Sequence, residues 1–189
     1  MTNPLLTAAD LPSFSAIQSE HVEPALDQVL AENRAELEQL LAANTVYTWD
    51  NLIHPLEALD DRLHKVWSPV SHLQAVCDSE SLRAAYNAGL PKLSAYHSEL
   101  GQHAGLYQAY RQIADGTEYA QLNAAQRKVI DDALRDFRLS GIALPPDQQT
   151  RYQEIQQELA SLSAKFSENV LDATQAWTKH LTESGSLAG

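Results

Sequence analysis

Apolar residues recur along this chain at steps of three and four, and no segment alternates convincingly at period two. The pattern predicts an all-α fold of several antiparallel helices. After an irregular, extended lead over 1–20, marked by Pro4, Pro12 and scattered serines, a helix is expected from about Val22-Glu23-Pro24 to Ala42. Pro24 suits a first turn, where its missing N–H has no partner to lose, and the glutamates suit the positive end of the helix dipole. Leu26, Val29, Leu30, Leu37, Leu40 and Leu41 fall on the buried side, with Asn44 as the stop. Thr48 reads as the N-cap of a second helix, Trp49 to Val66, in which Pro55 either makes a kink or delays the start. Ser68-Pro69 is expected to interrupt the pattern before a short helix through Leu73 and Val76. Ser79 caps the next helix, which carries Leu82, Tyr86, Leu90, Leu93 and Leu100 and should bend at Pro91. Breaks at Gly101, Gly105 and Asp115-Gly116 leave a short aromatic helix from Leu106 to Ile113.

The final third has the strongest periodicity. Asn123 caps a helix to Leu139 with Ile130, Ala133, Leu134 and Phe137 on one stripe, and Gly141 stops it. Its outer face places Arg127 with Asp131, Lys128 with Asp132, and Asp131 with Arg135 at the i,i+4 spacing that supports helices. Pro145-Pro146-Asp147 then opens a long helix whose Tyr152, Ile155, Leu159, Leu162, Phe166, Val170, Ala173 and Trp177 recur over more than three heptads. That stripe predicts helix-on-helix packing and marks this helix as the anchor of the domain. The expected division is a lead over 1–20, a helical domain over 21–177, and the start of a linker over 178–189, where the sequence turns polar and small.

Composition narrows the function more than it defines it. A hydrophobic share of 44% over 189 residues supports a folded core in one domain or two small subdomains. Asp and Glu number 25 against 13 Lys and Arg, a net charge of -12 with no basic cluster. Such a surface repels phosphate backbones and anionic bilayers, so neither nucleic acid nor membrane is expected as a partner. Cys77 is the one cysteine, which excludes an intrachain disulfide; its Ala75-Val76-Cys77 run suggests a partly buried, inert thiol. The first residues lack a basic stretch followed by an apolar one, which fits a cytoplasmic protein.

A search for chemistry returns little. His-Glu-x-x-His is absent. His97 and His103 are six apart, about 240° around a helix, and His64 and His72 are separated by the expected break at Ser68-Pro69. Asp60 and His64 have i,i+4 spacing without an evident third ligand. No Gly-x-Ser-x-Gly elbow, Gly-x-Gly-x-x-Gly turn or P-loop is present. Asp60-Asp61 and Asp131-Asp132 are adjacent pairs, about 100° apart on a helix, and read as surface charge. Tyr96, Tyr107, Tyr110 and Tyr119 either line a peptide-binding wall or fill gaps between helices, and Trp49 and Trp177 read as core. No catalytic, cofactor-binding or metal-ligating residue is assigned.

Several segments in order nevertheless carry a resemblance. They include Glu20-His21-Val22-Glu23-Pro24-Ala25, Tyr47-Thr48-Trp49-Asp50-Asn51-Leu52 and Ser68-Pro69-Val70-Ser71-His72-Leu73. Further on are Ala133-Leu134-Arg135-Asp136-Phe137-Arg138-Leu139-Ser140-Gly141, Asn169-Val170-Leu171-Asp172-Ala173-Thr174 and Trp177. Together the chain resembles the N-terminal region of the thimet-oligopeptidase-like family of zinc metallopeptidases. The resemblance implies a two-lobed helical enzyme in which zinc is held by a His-Glu-x-x-His helix and a downstream glutamate, all beyond the equivalent of Gly189. The motif glutamate would activate zinc-bound water against the peptide carbonyl. On this reading the chain holds no zinc, is inactive alone, and forms one wall of a channel admitting short oligopeptides, completed by a C-terminal catalytic lobe. The alternative is a free-standing helical module that binds a protein partner and has no enzymatic activity.

Overall fold

The structure, a computed structural model, describes residues 3–7 and 11–182. It contains six α-helices and no strand among the described residues: α1 (Ser19–Ala43), α2 (His54–Val76), α3 (Glu80–Gly101), α4 (Ala104–Asp115), α5 (Ala124–Leu139) and α6 (Pro146–Gln175). Within the lead, Pro4–Leu6 and Phe14–Ala16 form short 3-10 turns that set Leu5 and Ile17 into the core. The expected linker residues 183–189 lie outside the described residues.

The central helix is α1, and it joins two apolar clusters. Its first half buries Val22, Ala25, Leu26, Val29 and Leu30 against Leu63, Val66 and Val70 of α2 and Leu82, Leu93 and Tyr96 of α3. Its second half contributes Leu37 to a cluster with Leu52, Ile53, Leu106, Ala109, Ile113, Ile130, Leu134 and Phe137, so α4 and α5 share the far end of α1. Leu100 packs against both clusters. Each large apolar side chain sealed this way contributes about 1.5–3 kcal/mol.

Sequence punctuation is obeyed at most caps. The Thr48 hydroxyl accepts the Asn51 N–H at 3.1 Å, Ser79 caps α3 through the Leu82 N–H at 3.2 Å, and Asn123 caps α5 through the Gln126 N–H at 2.9 Å. Pro55 does delay its helix: Trp49–Ile53 form a π-helical turn and α2 proper begins at His54. At the end of α5, Gly141 sits at φ +82°, and the Ile142 and Gly141 N–H groups donate to Phe137 and Arg138 carbonyls, both at 3.1 Å. These two bonds are a Schellman closure, which needs a residue that tolerates left-handed backbone.

Three punctuation expectations fail. The α1 helix starts at Ser19, so Pro24 lies inside it rather than in its first turn. Ser68-Pro69 does not break α2, which runs unbroken to Val76. Proline removes a single intrahelical bond, and Pro69 is itself buried in the α2 core face beside Val66 and Val70, so packing offsets that loss. Gly105 lies within α4 rather than between helices, because α4 already starts at Ala104, capped by the His103 ring.

Candidate functional site

Of the side chains weighed as metal ligands, only Asp60 and His64 come together. His103 is committed to structure: Nδ1 accepts the Leu106 N–H at 3.0 Å, and Nε2 lies 3.1 Å from Glu38 Oε1. His97 stands on α3, and burial together with neighbouring His64 pushes its pKa below the ordinary value, while Asp60 opposes that shift. His64 and Asp60 are 3.2 Å apart on the exposed side of α2. Because α2 continues through Pro69, His64 and His72 share one helix after all, about 80° apart, and the Phe14 ring lies 5.4 Å from that of His72. No group of three or more His, Cys, Asp or Glu suited to a metal forms among the described residues.

The acidic and aromatic candidates likewise have structural partners. Asp131 accepts the Tyr119 hydroxyl at 2.7 Å. Asp132 is paired with Lys128 and Arg135, which together hold its carboxyl below the usual range, the Lys128 hydrogen bond leading. Of the three i,i+4 pairs read from the sequence, Lys128 with Asp132 forms, whereas Arg135 turns to Asp132 and Asp136. Tyr107 and Tyr110 pack edge-on against Phe137, each with centroids 5.6 Å away, and Tyr96 is buried. Burial, with Glu57 nearby, pushes the Tyr110 phenol up to about 12. Cys77 is exposed rather than partly buried, because α2 ends at Val76 and the thiol sits on its C-cap.

The largest departure from the sequence reading is α6. It was expected to anchor the domain through its apolar stripe, yet no residue of α6 is buried. Exposure along the stripe rises from 40% at Ile155 to 71% at Phe166 and at Trp177, which is therefore not core. The helix lies along α3 through its polar and small side instead. Gln153 donates to Gln102 at 2.8 Å, Asn87 donates to Glu168 at 2.7 Å, and Arg83 forks onto Asp172 at 2.9 and 3.0 Å while also gripping Asp78. Arg83 holds the Asp172 carboxyl below its ordinary pKa. A cleft of about 390 Å³ remains between the two helices, lined by Leu90, Ser94 and His97 on one side and Tyr152, Gln156, Leu159 and Ala160 on the other. Periodicity identified the apolar face correctly; it carries no information on whether a partner covers that face.

Sequence reasoning also passed over Asn33, which is fully buried. Its amide donates to the Leu59 carbonyl at 2.9 Å and accepts from Arg62 Nε and Nη2 at 3.0 and 2.8 Å, while Glu36 holds the other edge of the guanidinium. One signal was available, since residue 33 continues the Leu26, Leu30, Leu37 stripe at steps of four and three.

The described residues thus form a helical scaffold with one long unpartnered apolar face, and no helix is long and apolar enough to cross a membrane. A sequence profile of the family "Neurolysin/Thimet oligopeptidase, N-terminal domain" matches residues 26–151. Over its whole 189-residue length the chain is 53% identical to oligopeptidase A of Salmonella typhimurium and 52% identical to that of Escherichia coli, spanning 28% of each. A probable cytosolic oligopeptidase A of Arabidopsis thaliana is 38% identical over 188 residues, of which the chain spans 27%. The chain therefore spans less than a third of these relatives, and it belongs to the family of neurolysin/thimet oligopeptidase N-terminal domains.

Proposed function

We propose that this chain is the non-catalytic N-terminal domain of a zinc metalloendopeptidase that hydrolyses short oligopeptides. One observation carries the reading: roughly half-identity, end to end, with relatives named oligopeptidase A that are more than three times as long. The described residues offer no group of three potential metal ligands, so they do not fit a zinc site, and no catalytic step is assigned to them. The zinc and the water it activates belong, on this reading, to the lobe that follows.

The domain's own task is steric. Its helices, fixed by two apolar clusters around α1, form one rigid wall of a channel whose entrance passes short extended peptides and excludes folded proteins. Its -12 charge favours neutral or basic peptides near that wall. The name of the cytosolic Arabidopsis relative supports a cytoplasmic setting; an organellar relative is 37% identical. The test is a series of fluorogenic peptides of increasing length, assayed on the longer enzyme and on the enzyme lacking residues 1–189. Loss of length discrimination is expected. A folded, truncated enzyme with unchanged length preference refutes steric selection, and peptidase activity in the 189-residue chain alone, with zinc supplied, refutes its non-catalytic role.

A further inference from the structure

We propose that the exposed stripe of α6 is the seat of an uncharged apolar helical surface contributed by a later part of the same polypeptide. The inference rests on reading the chain as the first domain of a longer enzyme, and it adds where the two parts join.

The orientation of α6 is the first argument. Gln153, Gln156, Ala160 and Glu168 lie on the side toward α3, whereas Ile155, Leu159, Leu162, Phe166 and Val170 form the exposed set, with Leu159 also reaching the rim of the α3–α6 cleft. At 100° per residue the two sets are centred about 130° apart, so the body of the domain holds α6 by its polar side and presents its apolar side outward. A contiguous apolar strip from Ile155 to Val170 is larger than the scattered apolar residues of an ordinary surface and marks an interaction site.

Spacing describes the occupant. Within α6, residues 155, 159, 162, 166, 170 and 173 cover 18 residues in five steps, 3.6 per step, the period of the helix itself. Such a seam stays nearly parallel to the helix axis, so it suits an element lying along α6 rather than a single contact. On one border Arg151, Glu158 and Lys165 alternate in sign at seven-residue intervals, so that edge carries both signs of charge. A neutral apolar surface fits it better than a cationic one.

Two observations select a later segment over a second copy. The relatives carry the remaining 72% of their length outside the matched stretch, and α6 is the last described helix. Two copies would bring a net charge of -12 each into contact, and that repulsion opposes self-association.

The test compares the 189-residue chain with its longer natural polypeptide by amide hydrogen exchange and thermal melting, each with and without Phe166→Glu. In the longer polypeptide the amides of 155–175 should exchange at least ~10-fold more slowly than in the 189-residue chain, because docking suppresses local opening. Phe166→Glu should lower the melting midpoint of the longer polypeptide by ~5 °C or more and that of the 189-residue chain by ~1 °C or less. If Phe166→Glu prevents the longer polypeptide from folding, Phe166→Ala and the wild-type exchange comparison decide the matter. Equal protection and equal shifts in both proteins would overturn the proposal. So would a 189-residue dimer by light scattering that Phe166→Glu dissolves, since the seam would then belong to a second copy. Peptidase activity of the longer polypeptide is recorded separately: protection of α6 without activity would overturn the enzyme reading alone, and activity without protection the docking alone.

Discussion

Replacing Asn33 with alanine removes a fully buried polar side chain that bridges α1 and α2. The amide oxygen takes two guanidinium N–H groups from Arg62, at 3.0 and 2.8 Å, and the amide nitrogen donates to the Leu59 carbonyl at 2.9 Å. Hydrogen bonds to a charged partner are worth about 1.5–3 kcal/mol when desolvated, and a neutral one about 1. Arg62 is 34% exposed and keeps Glu36 at 2.9 Å, so water and that carboxylate recover part of what its guanidinium loses. The expected cost of Asn33→Ala is therefore about 2–3 kcal/mol, rather than the larger figure obtained by adding full values. For a chain of this size that corresponds to a fall of roughly 5–10 °C in melting midpoint. Urea unfolding followed by circular dichroism at 222 nm measures it, with Arg62→Ala and the double variant completing a thermodynamic cycle. A coupling of about 1–2 kcal/mol between the two sites is expected from their shared bonds. A loss below about 0.5 kcal/mol in Asn33→Ala, or additive single effects, would refute the bridge as a stabilising element.

Three further outcomes are expected from the packing and ion pairs. Ile130→Ala, at a position with no exposure in the second cluster, should cost about 2–5 kcal/mol, whereas Phe166→Ala in the isolated chain should stay within about 0.5; comparable losses in urea unfolding would contradict the exposed placement of the α6 stripe. Gly101→Ala should destabilise by about 1–3 kcal/mol, because its new methyl would lie 2.6 Å from Ser140 Cβ and Oγ, and adding Ser140→Gly should recover most of the loss; failure of that rescue would point to some other origin. The Asp172 carboxyl should titrate below its ordinary 3.8 in an NMR pH series, because Arg83 hydrogen-bonds its ionised form. A depressed folded pKa stabilises above the unfolded value and fades as pH falls through the folded one, so the α3–α6 link should weaken only in acid. Arg83→Ala should return Asp172 to the ordinary value, and an unmoved midpoint would show that this ion pair is not its cause.

Local chemistry in the sequence determined the helical content, most caps and the turn at Gly141 that needs left-handed backbone. Thr48, Ser79 and Asn123 each cap as their side chains dictate, and Gly141 ends α5 with the left-handed backbone it alone tolerates cheaply. Such signals involve groups within a few residues of one another, so they are legible in a single chain. The absence of a His-Glu-x-x-His segment was equally plain, and the resemblance that named the family was carried by segments along the whole chain. Tertiary structure decided what depends on distant partners. Pro69 continues a helix because neighbours bury it, Asn33 is core because Arg62 and Leu59 arrive from 26 and more residues away, and Arg83 meets Asp172 across 89 residues. It also decided the fate of the strongest stripe in the sequence. Hydrophobic periodicity fixes which face of α6 avoids water, but the surface that covers that face is a property of the assembled fold, and among the described residues α3 takes the opposite, polar side.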